Sequence, residues 1–576
     1  MKFQFALLLG IVFSQTCESF AVEKPEIVAE RHFGLAQAYS SEGDTERAIE
    51  EYKLTLMYDP NAALVYTRLA TEYVKKGMLS AAMEACKEAL HCDPNYTDAR
   101  LILAGLYSTT HEIQLALSEY DRVLKTSPKN EEAVVYKAEV LIQEGRVEQA
   151  AVMLRQFSKK NTTSALAYYY LGRAEQHQGH FKEAASAFHK AIDEKPGFSQ
   201  AVLALGYLYE ENQKTDEAIS VYRSYYDESQ DVTAANRLAS IYLKAENYKQ
   251  AIPYLEAIEN SDPEDLNARV KLGLVHMELK EYEKSIAIFK KILEKSPESD
   301  RIHYYLGSLY EETHQIDTAI SELKLIPSQS KLYNDAALHV AFLLKKSQRI
   351  STAKEYIKDA ILKSPRVPGF YLFQASLEEE SHSLPKAIDI LRQAEKSFPD
   401  DEKVHYYLGS LYDRQGEVDK GLEQMEAILK VNPHNVDALN YIGYTWTQKG
   451  IRLNDAEKLL RRALDLRPGN GYIQDSWGWY LFVRGRIREA VIELEKAAKW
   501  KPNEATILEH LGDAYLRSNL REKALTQYKD AVKYADDDNF RKKMNDKAEN
   551  LKKEMSDGKA NQTAADRRMP ASAVSQ

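Results

Sequence analysis

The residues able to do chemistry are scattered along this chain, not gathered. His177 and His180 share a loop and His189 follows on the next helix, a set that could in principle ligate a transition metal. A solvated turn is the simpler reading of the same spacing. The acidic runs Glu378-Glu379-Glu380 and Asp536-Asp537-Asp538 follow helix faces or caps and read as solvated surface, not as paired carboxylates for acid–base work. Cys86 and Cys92 lie six apart on one predicted helix, about 9 Å along its axis, beyond the reach of a disulfide. No HExxH, CxxC, GxSxG or P-loop occurs. The expectation is a protein without metal, cofactor or catalytic centre, and not an enzyme.

Composition points the same way. The 576 residues contain only 24 Gly and 17 Pro, and Ala, Leu, Glu and Lys abound, which favours helix. Tyr numbers 37 against 16 Phe and 4 Trp, so most rings carry a polar handle suited to half-buried or partner-facing positions. The net charge is −10 with both signs interspersed. Without a basic stripe to neutralise phosphates, nucleic acid is excluded as a partner. The first residues read as an export signal over 1–21: Lys2, the apolar run FALLLGIVF from Phe5 to Phe13, then the small-x-small site Ser19-Phe20-Ala21. That run is too short to span a bilayer, and no later stretch is a membrane span. Cys17 offers a rival reading, a lipid anchor on an acylated cysteine, although Ser14-Gln15-Thr16 departs from the usual Leu-small-small approach. Both readings place the mature protein outside the cytoplasm: in the periplasm or at the outer membrane of a bacterium, or secreted.

The elements that must position any functional side chain come from a repeat. Prolines recur at Pro60, Pro94, Pro128, Pro196, Pro263, Pro297, Pro365, Pro399, Pro433, Pro468 and Pro502, mostly 34 residues or a multiple apart. The string HYYLGSLY occurs at His303–Tyr310 and again at His405–Tyr412. Within one period Tyr66, Leu69, Ala70 and Tyr73 mark one amphipathic helix, Gly77 a turn, and Ala82, Cys86 and Ala89 a second helix that Pro94 ends. This pattern resembles the tetratricopeptide repeat, whose consensus reads W-x2-L-G-x2-Y, then Ala, Phe, Ala and Pro. The resemblance implies an all-α, right-handed superhelical α-solenoid. Fifteen repeats begin at Ala29, Ala63, Thr97, Glu131, Ala165, Ser199, Val232, Leu266, Asp300, Asn334, Pro368, Glu402, Val436, Gly471 and Ala505, and the eighth position is Gly or Ala in each. His303 and His405 fall at fourth positions, where a large core residue is usual, and are expected to be packed and hydrogen-bonded.

Three departures from the period predict perturbed stacking: repeat 6 is one residue short near 226–231, repeat 7 carries Pro253 inside a helix, and repeat 9 loses its pattern near 327–333. Repeat 13 has one extra residue, in the loop Gly450–Asn454. Seams are expected at 226–231 and 327–333 of an array covering 29–538, followed by a capping helix over 539–555 and a disordered tail over 556–576.

In the tetratricopeptide family, ligands lie on the concave face at the second, fifth, sixth, ninth and twelfth positions of the first helices. The resemblance therefore nominates Tyr169, Arg173, Tyr207, Tyr304, Phe342, Tyr406, Tyr444, Trp479 and Phe482, with Tyr170, Tyr305, Phe373, Tyr407 and Tyr441 beside them, about half of these rings being needed to pack neighbouring repeats. Trp446 and Trp477 are expected in the core. Tyr444 and Trp479 should face the groove, with Trp479 exposed there. The chaperone-binding members hold a terminal carboxylate with a Lys/Asn clamp that is absent here. The block from Asn440 to Arg484, with NYIGY and DSWGW, resembles exported bacterial tetratricopeptide proteins of the cell envelope. The implied function is a non-catalytic periplasmic scaffold or adaptor binding protein partners, in assembly of a motility, pilus or secretion machine. The alternatives are a carbohydrate-binding or polysaccharide-export helper, and a eukaryotic luminal co-chaperone. For the last, Asn95-Tyr96-Thr97 and Asn161-Thr162-Thr163 would be glycosylation sites, but Ala573-Val574-Ser575-Gln576 is no retention signal.

Overall fold

The computed structural model describes residues 24–566, with side chains as far as Ser556. The signal segment 1–21 with Cys17, and the last part of the expected tail, lie outside the described residues. What is described is all helix, as an α-solenoid of helix pairs: thirty-one helices and no strand among these residues. The first helix of every repeat begins at the expected residue except in repeat 1, which starts early at Pro25, and repeat 10, which starts at Tyr333. The helix expected over 539–555 is the opening of a longer one, Asp538–Asp566, so that backbone assigned to the tail is helical.

Three devices recur along the array. The first is close approach at the eighth position. An ideal Cβ on Gly172 would lie 2.5 Å from Phe188, on Gly307 2.5 Å from Leu323, on Gly409 2.8 Å from Met425, and on Gly478 2.7 Å from Leu494. In each case the partner stands sixteen residues on and is buried. Gly443 instead meets Leu460, seventeen residues on, which is the extra residue of repeat 13 absorbed by the loop, where Gly450 and Arg452 are both left-handed.

The second device is the turn. The fifteenth position of every repeat has positive φ: glycine at Gly43, Gly77, Gly145, Gly179, Gly416, Gly450 and Gly485, but His111, Gln213, Glu246, Lys280, His314, Gln348, His382 and Asn519 elsewhere. Three of the scattered histidines are thus turn residues.

The third device is polar. His303 places Nδ1 2.8 Å from the Glu322 carboxylate and Nε2 2.9 Å from the Pro297 carbonyl. His405 does the same with Gln424 (2.6 Å) and Pro399 (2.7 Å). Arg100 donates to Glu119 and to the Pro94 carbonyl, His32 meets Glu51, and Gln474 donates to Glu493. At His303, His405 and Arg100 the fourth-position side chain thus ties its repeat's second helix to the turn that precedes the repeat, and His32 and Gln474 supply the tie to the second helix.

The chain divides into two compact units, Met1–Glu281 and Tyr282–Gln576. The two expected seams fall inside these units. In the first, the helix Thr215–Ser229 ends on a left-handed Gln230, and Asp231 caps the next helix by accepting from the Ala234 amide. In the second, the helix Ile316–Lys324 is shortened, yet Ile326 and Tyr333 remain buried across the crossing. Pro253 sits within the continuous helix Tyr248–Ser261.

Candidate interaction face

First helices present the fifth, ninth and thirteenth positions side by side. In unit one, a cavity of about 730 Å³ between Ala165–His177 and Ser199–Glu211 is lined by Tyr169, Arg173, Gln176, His177, Leu203 and Tyr207. Its groups are not equally free. The Tyr169 ring packs 5.4 Å from Phe198 and also against Phe188. Tyr170 is buried and donates to Glu139 at 3.0 Å, while Arg173 lies over the Tyr170 ring and 3.6 Å from the same carboxylate. Tyr207 is open, at 43% exposure, with the Arg237 guanidinium 5.5 Å above its ring. A second cavity of about 400 Å³ lies two repeats earlier, between repeats 3 and 4, where Gly105 and Tyr136 share the lining. Sequence reasoning passed over Tyr136, although its sixth position, shared with Tyr170, was the available signal.

In unit two, Phe342 (47%) and Tyr406 (48%) are the open rings among the nominated residues. Tyr304 is half-buried, its phenol pushed up by burial and by nearby Asp335. Tyr305 stacks on Phe289 at 5.3 Å. Phe373 is half-buried, and Tyr441 sits over Gly421, where a Cβ would come within 2.8 Å of its hydroxyl. Two acids of this face are occupied. Glu311 holds His339 (2.6 Å) and Lys346 (3.0 Å) of the next repeat; Glu379 holds Tyr407 and Arg414 of the next. Burial works against ionisation in both, yet these hydrogen bonds keep both carboxyls below their ordinary range.

The expected tryptophans separate. Trp446 and Trp477 are buried, with Arg452 and Arg461 over their rings at 4.0 and 4.5 Å. Trp479 is only half-buried, but it is not the open ring its ninth position suggests. It stacks on Phe482 (4.8 Å) and on His510 (4.1 Å), which reaches back from the next repeat. His510 is buried and fixed by Asp475 at 2.9 Å, and its ring lies 6.1 Å from Tyr444. Tyr444 in turn accepts from Gln448 at 2.8 Å. The structure thus brings Tyr444, Trp479 and Phe482 into one cluster, completed by a histidine that the sequence reading did not nominate.

Two of the three histidines first considered for a metal have other contacts: His180 meets Glu175 at 2.9 Å and His189 meets the Tyr209 hydroxyl at 3.2 Å. No group of three or more His, Cys, Asp or Glu suited to a metal occurs among the described residues. Cys86 and Cys92 are both free, and burial pushes the Cys86 thiol up to about 12. No helix among the described residues is long and apolar enough to cross a membrane.

Models described as tetratricopeptide repeat match residues 29–61, 63–96, 169–232, 236–300, 276–336 and 406–471. The chain belongs to the tetratricopeptide repeat family. A model described as anaphase-promoting complex, cyclosome, subunit 3 also matches the repeats at 109–191. The tetratricopeptide-repeat protein PA4667 of Pseudomonas aeruginosa is 31% identical over 86 residues, which span 15% of this chain and 14% of that protein. Among solved structures, the Naa15/Naa10 complex bound to HypK-THB is 16% identical over 94% of this chain and 98% of its own, with a TM-score of 0.33. Pseudomonas aeruginosa PilF is 20% identical over 38% of this chain and 97% of its own, with a TM-score of 0.31. Tetratricopeptide-repeat proteins are in general non-catalytic scaffolds for protein interaction, and the described residues have that family's repeat architecture.

Proposed function

We propose that this tetratricopeptide-repeat chain is an exported scaffold or adaptor of a bacterial cell envelope, holding protein partners on its first-helix face during assembly of a motility, pilus or secretion machine. The carrying observation is a division of labour among first-helix residues within each unit: in the second, Glu311 and Glu379 are committed to the next repeat whereas Phe342 and Tyr406 are open, and in the first Tyr207 is open. Such a face grips a partner through apolar and aromatic anchors, which contribute area at little entropic cost, and not through a charged clamp for a chain terminus. The export part rests on the basic, apolar and small-residue order of the first 21 residues and on the block Asn440–Arg484.

The test is affinity capture from an envelope extract of the native host, with Phe342→Ala/Tyr406→Ala and Tyr207→Ala compared with wild type. Both variants are expected to keep their helicity and to lose partners. Retention of the same partners in the same amounts would reject this face. For export, the mature chain should begin at Val22 or carry a diacylated Cys17; an intact Met1 would reject both.

A further inference from the structure

The opposite side of repeats 3 to 5 carries a feature the interspersed sequence charge conceals. Three cavities share one helix, Val147–Lys160. The first, about 570 Å³, has a floor that includes Leu117, Leu141 and Met153. The second, about 320 Å³, shares Met153 and adds Leu124 and Phe157. The third, about 640 Å³, has Tyr168 and Leu171. Their rims are cationic. The first is lined by Arg122, Lys125, Lys137 and Arg146 against Asp121, and the second by Lys129 and Lys160 with no acid. The third has Arg155, Lys159, Lys182 and Lys190 against Glu175 and Glu183. Glu175 is already engaged by Arg155 at 2.8 Å and by His180.

Helix electrostatics explain part of this. Lys125, Lys159 and Lys160 stand in last turns, where a cation complements the helix dipole. The same dipole disfavours Lys182, the second residue of the helix Phe181–Glu194. Lys125, Lys159 and Lys182 are exposed, and none has an ion pair among the described residues. A cationic rim over an apolar floor fits an acidic segment that also carries apolar side chains. A bilayer surface cannot enter furrows between helices, and a phosphate backbone offers nothing to the Leu117, Met153 and Phe157 floors.

We propose that the outer face of repeats 3–5 is a second docking site, for an acidic protein segment with interleaved apolar residues. It is separate from the aromatic first-helix face, so its failure would leave the proposed function untouched.

The experiment uses the full mature chain and a fluorescent 16-residue peptide alternating Glu with Leu and Ala, followed by anisotropy at stepped salt. Lys125→Glu/Lys159→Glu/Lys182→Glu is expected to weaken binding at least tenfold, with the salt dependence reduced. The comparison variant Lys358→Glu/Lys396→Glu/Lys430→Glu reverses exposed lysines on second helices of unit two; it should bind as wild type does. All six sites are on the surface, and circular dichroism melts check that both variants fold. Equal weakening by both triple variants would reduce the effect to general charge and overturn the site. So would unchanged binding in the first variant. Binding confined to phosphatidylglycerol vesicles or to a DNA duplex, with none to the peptide, would also overturn it.

Discussion

A single glycine reports whether its repeat has been placed in the right register. At Gly307 a new Cβ would stand 2.5 Å from Leu323 Cγ, on a buried leucine that has nowhere to go. Gly307→Leu should therefore lower stability by about 1–3 kcal/mol or more through overpacking, read as a shift of the urea midpoint. Gly105 is the opposite case. It is also helical, but nothing lies within 4 Å of its Cβ position. Gly105→Ala should raise stability by about 0.5–1 kcal/mol, because only the backbone-entropy cost of glycine is removed. An unfolding midpoint that moves the same way in both variants would contradict the assignment of the eighth position. At the fifteenth position the logic reverses: Gln348 holds φ 60°, a left-handed conformation that costs an L-residue about 1–2 kcal/mol. Gln348→Gly should recover part of that, about 0.5–1 kcal/mol once the entropy of glycine is subtracted.

At the scale of the helix, polar bonds between neighbours make stability depend on pH. Glu379 accepts from Tyr407 and Arg414 of the next repeat, and its carboxyl stays below the ordinary value despite burial. A carboxyl depressed in the folded state contributes stability above its unfolded pKa and loses it as pH falls through the folded one. Urea midpoints should accordingly decline below about pH 4.5, and Glu379→Gln should flatten that decline. A steeper acid limb in the variant would refute this role. Helix starts, the eighth-position contacts and the extra residue of repeat 13 were legible in the sequence, because each rests on residue size or spacing. The fourth-position ties were legible only at His303 and His405. Elsewhere the same two bonds come from Arg100, and the tie to the second helix from His32 and Gln474, so the role is shared while the residue type is not. The site was half legible for a related reason: ring positions follow from the period, but whether a ring is open depends on what the next repeat sends back. His510 arriving on Trp479 is the plainest instance.

Over the whole molecule, contacts between repeats decide whether the chain melts as one body or by parts. A solenoid repeat touches its neighbours, so its stability is a sum of intrinsic and nearest-neighbour contributions. The two compact units are consistent with that reading, since each contains its own chain of buried clusters. Gly172 and Gly478 lie in different units, each with a Cβ position within 2.7 Å of a buried side chain, Phe188 and Leu494. Leucine at either should open only its own surroundings. Hydrogen exchange followed by mass spectrometry should show protection lost in repeats 4–6 for Gly172→Leu and in repeats 13–15 for Gly478→Leu, with the other region unchanged. The double variant should show the two patterns superposed, their free-energy costs adding within about 0.3–0.5 kcal/mol because the sites share no partners. Loss of protection throughout the chain from either single substitution would mean long-range cooperativity, and the two interaction faces would then be coupled through the fold. Local loss would instead leave the open rings Phe342 and Tyr406 of the second unit undisturbed while repeats 4–6 open, so that anchors in one unit hold a partner independently of the other.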